Sequence, residues 1–286
     1  MARSQADGRP APVASVHRAV RILEALASHA HGIALTDLSA RLGYGKGTLS
    51  KILDTLERQG YVRQDPLTDR FHLSWRLLAL AFGHAQRLGV PTIFFPILQE
   101  LADETDELVQ LALVDGDRLL FVAKAEGVGQ RIRMLPLVGM AAPLHATASG
   151  KIWLASLPEA EARAILRREG LPPLAPKTMT DRRRLLADLR EVRRRGYAVV
   201  DEELVEGGGA VAAPILNHGR VVGAVAVSGP TFRLPLARLH ELAPRVQRAA
   251  EEVAAIWPLR VSAKDFGLGV RPGERGRVEP AFGRPP

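Results

Sequence analysis

Residues 35–60 read LTDLSARLGYGKGTLSKILDTLERQG, two helical periods separated by a glycine-bearing turn. Leu35, Leu38 and Leu42 give the first period an apolar side; Thr36 is placed to cap it and Gly43 to end it in the left-handed conformation. From about Gly47 to Gln59, Leu49, Ile52, Leu53 and Leu56 recur at helical spacing. That leaves Lys46, Thr48, Ser50, Lys51 and Thr55 on a basic, hydroxyl-rich face, with Gly60 closing the helix behind it. Such side chains, on a helix of the width of the major groove, reach base edges and phosphates. The second helix is therefore predicted to be a recognition helix.

A helical hairpin used only for packing has the same bare pattern; the flanks favour the DNA-binding reading. YVRQDPLTDRFHL, 61–73, has two short apolar/polar segments around Asp65–Asp69, which predicts a hairpin or wing with Arg63 and Arg70 beside the turn. Before the pair, Ser15 is placed to cap a helix whose expected inner face is Val16, Ala19, Val20, Leu23 and Leu26. Three helices and a wing in that order predict a winged helix-turn-helix over 15–74.

Length and charge set the rest of the frame. At 286 residues the chain holds two domains, each with its own core. It has no cysteine, so disulfides and thiolate metal sites are excluded. No apolar run approaches the ~20 residues of a membrane span, and the polar start MARSQADGRP lacks a signal-peptide core, which predicts a cytoplasmic protein with no membrane partner. Residues 1–87 carry 12 Lys and Arg against 7 Asp and Glu, whereas residues 88–261 carry 22 against 21. The positive excess lies with the recognition helix, so the small domain is the one expected to meet double-stranded DNA.

Residues 1–14, rich in Pro, Ala and Arg, and residues 262–286, rich in Gly, Pro and Arg, are expected to be a disordered arm and tail. Residues 75–90 form a linker: WRLLALAFGHAQRL, 75–88, is apolar nearly all round, ends at Gly89, Val90 and Pro91, and needs a covering partner such as its copy in a second subunit. The second domain, 91–261, is expected to contain helices at Thr92–Glu104, Leu144–Pro158, Glu159–Glu169, Asp181–Arg195 and Pro235–Trp257. Its strands are expected at Glu107–Val114, Arg118–Ala125, Arg131–Pro136, Tyr197–Asp201, Val211–Asn217 and Val221–Ser228. This makes the chain α+β. The arginine runs 182–184 and 193–195 suit either a solvated helix face or a second DNA surface; the inner face Leu185, Leu186, Leu189 and Val192 favours the first.

No catalytic constellation is legible. LHATASGK, 144–151, has His145 where a phosphate loop needs glycine and Ile152 where it needs Ser or Thr. Ser149, His145 and Lys151 lack an orienting acid, His29 and His31 lack carboxylate company for a metal, and the glycines 207–209 precede a strand and not a helix. No cofactor or metal is expected. What LHATASGK offers is small residues running into a helix, whose first N–H groups suit a carboxylate; an ordinary close-packed loop reads the same way. An enzyme with an appended DNA-binding module and an architectural DNA-binding protein are the rival classes.

The winged helix, the apolar linker helix, LHATASGK (144–151), RRRGYAVVDEELVEGGGAVAAPI (193–215) and VVGAVAVSGP (221–230) together resemble the isocitrate lyase regulator (IclR) family of bacterial transcription factors. The resemblance implies a GAF-like α/β domain that binds a small organic acid. It also implies homodimers or dimers of dimers on palindromic operators, with repression more common than activation. It places the acid at the N–H groups of Ala148 and Ser149. Relatives that bind small polar acids such as glyoxylate carry polar residues where Val200, Ala210 and Ala226 stand; only Ser228 keeps a polar group here. The resemblance thus implies an aromatic or longer aliphatic acid, with Met134, Leu144, Val200 and Val211 as apolar walls.

Overall fold

A computed structural model describes residues 13–88, 90–129 and 134–257. The expected tail, the first twelve residues of the arm and Gly89 lie outside them. The chain divides into two units between Arg87 and Leu88.

The first unit has helices α1 (Ala14–Ala27), α2 (Leu35–Leu42) and α3 (Lys46–Arg58), the antiparallel wing strands β1 (Val62–Gln64) and β2 (Phe71–Leu73), and the start of α4 (Trp75–Leu88). Ile22, Leu26, Leu38, Leu49, Leu53, Val62 and Phe71 form its core. Gly43 ends α2 at φ 70°, a conformation that penalises any Cβ. Neither expected cap forms: α1 starts one residue before Ser15 and α2 one residue before Thr36, with Val13 and Ala34 as uncapped N-cap residues. The face of α1 is also rotated from expectation. Ile22, Ala25 and Leu26 are buried, while Val16 and Val20 are exposed.

The second unit is three-layered. Its strands are β3 (Leu108–Asp115), β4 (Arg118–Glu126), β5 (Ala198–Asp201), β6 (Gly208–Asn217) and β7 (Arg220–Pro230), in the order β4-β3-β7-β6-β5, antiparallel throughout. One face packs on α5 (Val90–Thr105) and α9 (Leu236–Ala255), the other on α6 (Ala148–Ser156) and α8 (Arg182–Arg195), with α7 (Glu159–Glu169) beside them. Strand alternation assigns the residues: Val211, Val225 and Val227 join Phe94, Leu98 and Leu239 on the α5/α9 side, whereas Ala212, Ala224 and Ala226 face α6. Along β7, Val225 and Val227 fill one face while the smaller Ala224 and Ala226 line the other, so the α6 side has room to spare.

Of the strand expected at Arg131–Pro136, residues 131–133 lie outside the described residues and Met134–Pro136 are not strand. The outer edge of β4 is instead met further on: the Gly139 N–H donates to the Phe121 carbonyl at 2.8 Å and the Ala142 N–H to that of Leu119 at 2.7 Å. No helix among the described residues is long and apolar enough to cross a membrane.

Candidate functional site

The polar face of α3 is open. Lys46, Ser50, Lys51 and Thr55 are exposed and Thr48 is half-buried, while Leu49 and Leu53 anchor the opposite side. The N–H groups of Lys46 and Gly47 have no acceptor among the described residues, because the first bonds of the helix are donated by Thr48 and Leu49 to the Gly45 carbonyl. A helix end of this kind suits a phosphate oxygen. Thr55 is less free than its exposure suggests, since its Oγ1 donates to the Lys51 carbonyl at 2.9 Å. In the wing, Asp65 Oδ1 accepts from the N–H groups of Leu67 and Thr68, at 2.8 and 3.3 Å, which shapes the turn. These bonds, the Leu67 one above all, hold the Asp65 carboxyl below the usual aspartate range. Arg63 is exposed; Arg70 is exposed too, but its Nη1 donates to the Gly32 carbonyl at 3.1 Å and so also ties the wing to the loop before α2.

The second arginine run of α8 is occupied: Arg193 donates to the Ala155 and Leu157 carbonyls, Arg194 pairs with Glu191, and Arg195 donates to the Tyr197 carbonyl. His29 likewise bonds the Ala25 carbonyl and Arg41, and no metal-ligating cluster occurs among the described residues.

The room on the α6 face is a cavity whose floor draws on all five strands: Phe121, Gln110, Ala226 with Ser228, Ala210 with Gly208 and Gly209, and Val200. Two rungs of the sheet supply most of it. Val200 pairs with Ala210 and Ala210 with Ser228; in the next rung Ala212 pairs with Ala226 and Ala226 with Gln110. Leu204 and Val205 close one side, Met134, Leu135 and Leu137 another, and Ala146–Ser149 form the roof. The cavity volume is about 60 Å³, room for a few waters or one small organic molecule.

The roof is built by α6. Thr147 Oγ1 donates to the Pro143 carbonyl at 2.9 Å and accepts from the Gly150 N–H at 3.1 Å, a side-chain N-cap. The Lys151 N–H bonds the Thr147 carbonyl, so the N–H groups of Ala148 and Ser149 are the ones left without an acceptor among the described residues. Gly150 permits this turn: a Cβ there would lie 2.5 Å from both the Cα and the carbonyl oxygen of Leu144.

That packing corrects one expected wall. Leu144 is buried beneath α6 in the core and does not line the cavity. Val211 is a second correction, because the residue next to Ala210 on a strand points to the other face, and Val211 packs with α5 and α9. Met134, Ala148, Ser149, Val200, Ala210, Ala226 and Ser228 do line it. Sequence reasoning missed Gln110, Phe121, Thr147, Leu204 and Val205; Gln110 alone left a trace, as the single polar residue in LVQLALV, 108–114. It also missed Glu203 and Asp188 around Lys151. Buried Lys151 lies 2.6 Å from Glu203 Oε1 and 2.8 Å from Asp188 Oδ2.

A winged helix-turn-helix carried on one chain with a second, cavity-bearing α/β domain defines the class of a DNA-binding transcription regulator. Comparison with known proteins gives the family. The IclR helix-turn-helix domain matches residues 15–66 and the bacterial transcriptional regulator IclR C-terminal domain residues 82–255; the chain belongs to the IclR family of DNA-binding transcription regulators. It is 37% identical to the HTH-type transcriptional regulator Rv1719 of Mycobacterium tuberculosis over 92% of this chain and 96% of that one. It is 31% identical to the transcriptional repressor IclR of Escherichia coli, over 86% and 90%. The second unit also resembles the inducer-binding domain of PobR from Acinetobacter, solved with 3-hydroxybenzoic acid: 28% identity, TM-score 0.53, 58% of this chain and 97% of that one.

Proposed function

We propose that this regulator is a cytoplasmic repressor whose operator binding is changed by one small monocarboxylic acid, aromatic or longer aliphatic, held in the cavity beneath α6. The observation that carries the reading is the pair of N–H groups of Ala148 and Ser149, without an acceptor among the described residues, at the end of a helix that opens into a mostly apolar cavity. They suit a carboxylate, with the helix dipole behind them. No Asp, Glu, Lys, Arg or His is among the described lining residues, so a second charge on the ligand would be buried without a partner. Val200, Ala210 and Ala226 offer a ring or chain apolar contact where a small polar acid would need hydrogen bonds.

On this reading residues 15–74 contact a palindromic operator through Lys46, Thr48, Ser50, Lys51, Thr55, Arg63 and Arg70. Residues 75–90 join two subunits, and 91–261 bind the effector. Trp75, Leu78 and Leu80 support the dimer: Trp75 is 76% exposed and the two leucines about half, on a helix too apolar to stay in water. The acid acts by binding one arrangement of the two recognition helices better than another. The test is a mobility shift on the DNA upstream of the protein's own gene, with and without a panel of acids. Release by an acid, lost in Ser149→Pro, is expected; binding unmoved by every acid would overturn effector control.

A further inference from the structure

The cavity is lined by two polar side chains whose buried groups no described residue bonds. Among its described polar lining groups, Thr147 Oγ1 is fully engaged in the N-cap, and Ser228 Oγ donates to the Leu108 carbonyl at 3.5 Å. Gln110 Nε2 and Ser149 Oγ have no partner among the described residues, although their residues are only 5% and 1% exposed. A buried polar group without a hydrogen bond destabilises the fold, and such groups are rare. Two of them on one cavity, one in the helical roof and one in the sheet floor, mark the places where a ligand supplies what the protein does not.

The Ser149 hydroxyl lies beside the free N–H groups of the α6 end, so it belongs with the carboxylate. Gln110 sits in β3, the strand between β4 and β7, next to Ala226 across the sheet, on the layer opposite the helix end. On the sheet side of the cavity it is placed for a second polar group of the ligand, apart from the helix end that suits the carboxylate. The geometry points to Gln110 as a specificity residue that selects acids carrying an oxygen, a hydroxyl above all, set apart from the carboxylate. A hydroxyl accepts from Nε2–H and can donate in turn to the amide oxygen. An acid without that oxygen gains nothing from the amide, so the hydroxy acid is preferred by the bond it adds. This inference rests on the acid-effector reading above and adds the ligand's second polar group.

The experiment measures binding of benzoate against 3- and 4-hydroxybenzoate, and of butanoate against 3-hydroxybutanoate, by calorimetry on the full-length protein, its Gln110→Leu and Gln110→Met variants, and Ser149→Pro. The wild type is expected to bind a hydroxy acid at least about tenfold tighter than its plain partner. Both Gln110 variants should lose that preference by weakening the hydroxy acid alone. Because the amide bonds nothing among the described residues, their ligand-free melting temperatures should equal or exceed that of the wild type, which a merely structural glutamine would not allow. A preference that is absent in the wild type or survives in the variants overturns the role of Gln110, while Ser149-dependent binding of plain acids leaves the effector reading intact. If none of these acids binds, both readings fall together.

Discussion

The Lys151 ammonium lies 2.6 Å from Glu203 Oε1 although 52 residues separate them, and both side chains are buried. Asp188 Oδ2 approaches the same ammonium to 2.8 Å, off hydrogen-bond geometry, as a second counter-charge. Lys151 belongs to the helix whose first turn roofs the cavity, and Glu203 precedes Leu204 and Val205 of the cavity wall. The same loop is tied by Lys177 to Asp201 and Glu202, and by Thr178 Oγ1, which donates to the Glu203 carbonyl at 2.6 Å. Roof and wall are thus joined through a buried charge cluster.

Removing one member of a buried ion pair strands the other. Lys151→Met should therefore destabilise the protein by about 3–5 kcal/mol, read as a lower denaturant midpoint. Burial already pushes the Glu203 carboxyl above its ordinary value of 4.5, with Lys151 opposing the shift. Without Lys151 it rises further, so the folded variant holds its proton more tightly than the unfolded chain does. Stability is then retained below about pH 4.5 and lost as the pH climbs through the raised folded value. A deficit that is flat from pH 4.5 to 7.5 would refute this account.

Gly150→Ala places a methyl group 2.5 Å from the Leu144 backbone, which no side-chain rotation can relieve. The expected loss is about 1–3 kcal/mol, with weakened acid binding because the Ala148 and Ser149 N–H groups move with the turn. Thermal melts and calorimetry on the same preparation check both; an unchanged melting temperature would show that the loop before α6 can yield.

Much of this architecture was legible beforehand, and the failures have physical causes. The recognition helix, α7 and α8 were readable to within a residue or two, since leucines at helical spacing next to glycine stops leave little choice. Strand faces were harder. AVAAPI, 210–215, is buried on both sides, so its composition does not say which residue meets which helix, and Val211 was assigned to the wrong face. Gln110 was lost inside an apolar strand for the same reason. The Lys151–Glu203–Asp188 cluster joins three distant segments, and no local pattern announces it.

Lys51→Ala and Arg70→Ala separate two kinds of basic residue. Lys51 is exposed on the polar face of α3, so its loss should weaken operator binding and lower the salt-dependence slope by about one without moving the melting temperature. Arg70 bonds the Gly32 carbonyl, so its loss should also cost about 1 kcal/mol of stability. Filter binding from low to high salt, beside melts of each variant, gives the comparison; unchanged affinity in both would remove α3 and the wing from the DNA face.

The linker helix gives a prediction about assembly. Leu78→Lys with Leu80→Lys adds charge to half-exposed positions, and each unit should stay folded. Light scattering should show a smaller assembly than the wild type, with weaker operator binding because two tethered recognition helices no longer act together. An unchanged mass would place the subunit contact elsewhere.

Gly47 separates stability from recognition on the same helix. It lies in the first turn of α3, and a Cβ there would meet nothing within 4 Å. Packing therefore gives no reason for glycine, and Gly47→Ala should stabilise the protein by up to about 1 kcal/mol. Yet the Gly47 N–H is one of the two free donors at the helix end, where a methyl group would stand between the backbone and an approaching phosphate. If α3 enters the groove by that end, Gly47→Ala should raise the melting temperature and lower operator affinity together. Raised stability with unchanged affinity would mean that DNA does not approach this end of the helix closely, and the contact would then rest on Ser50, Lys51 and Thr55.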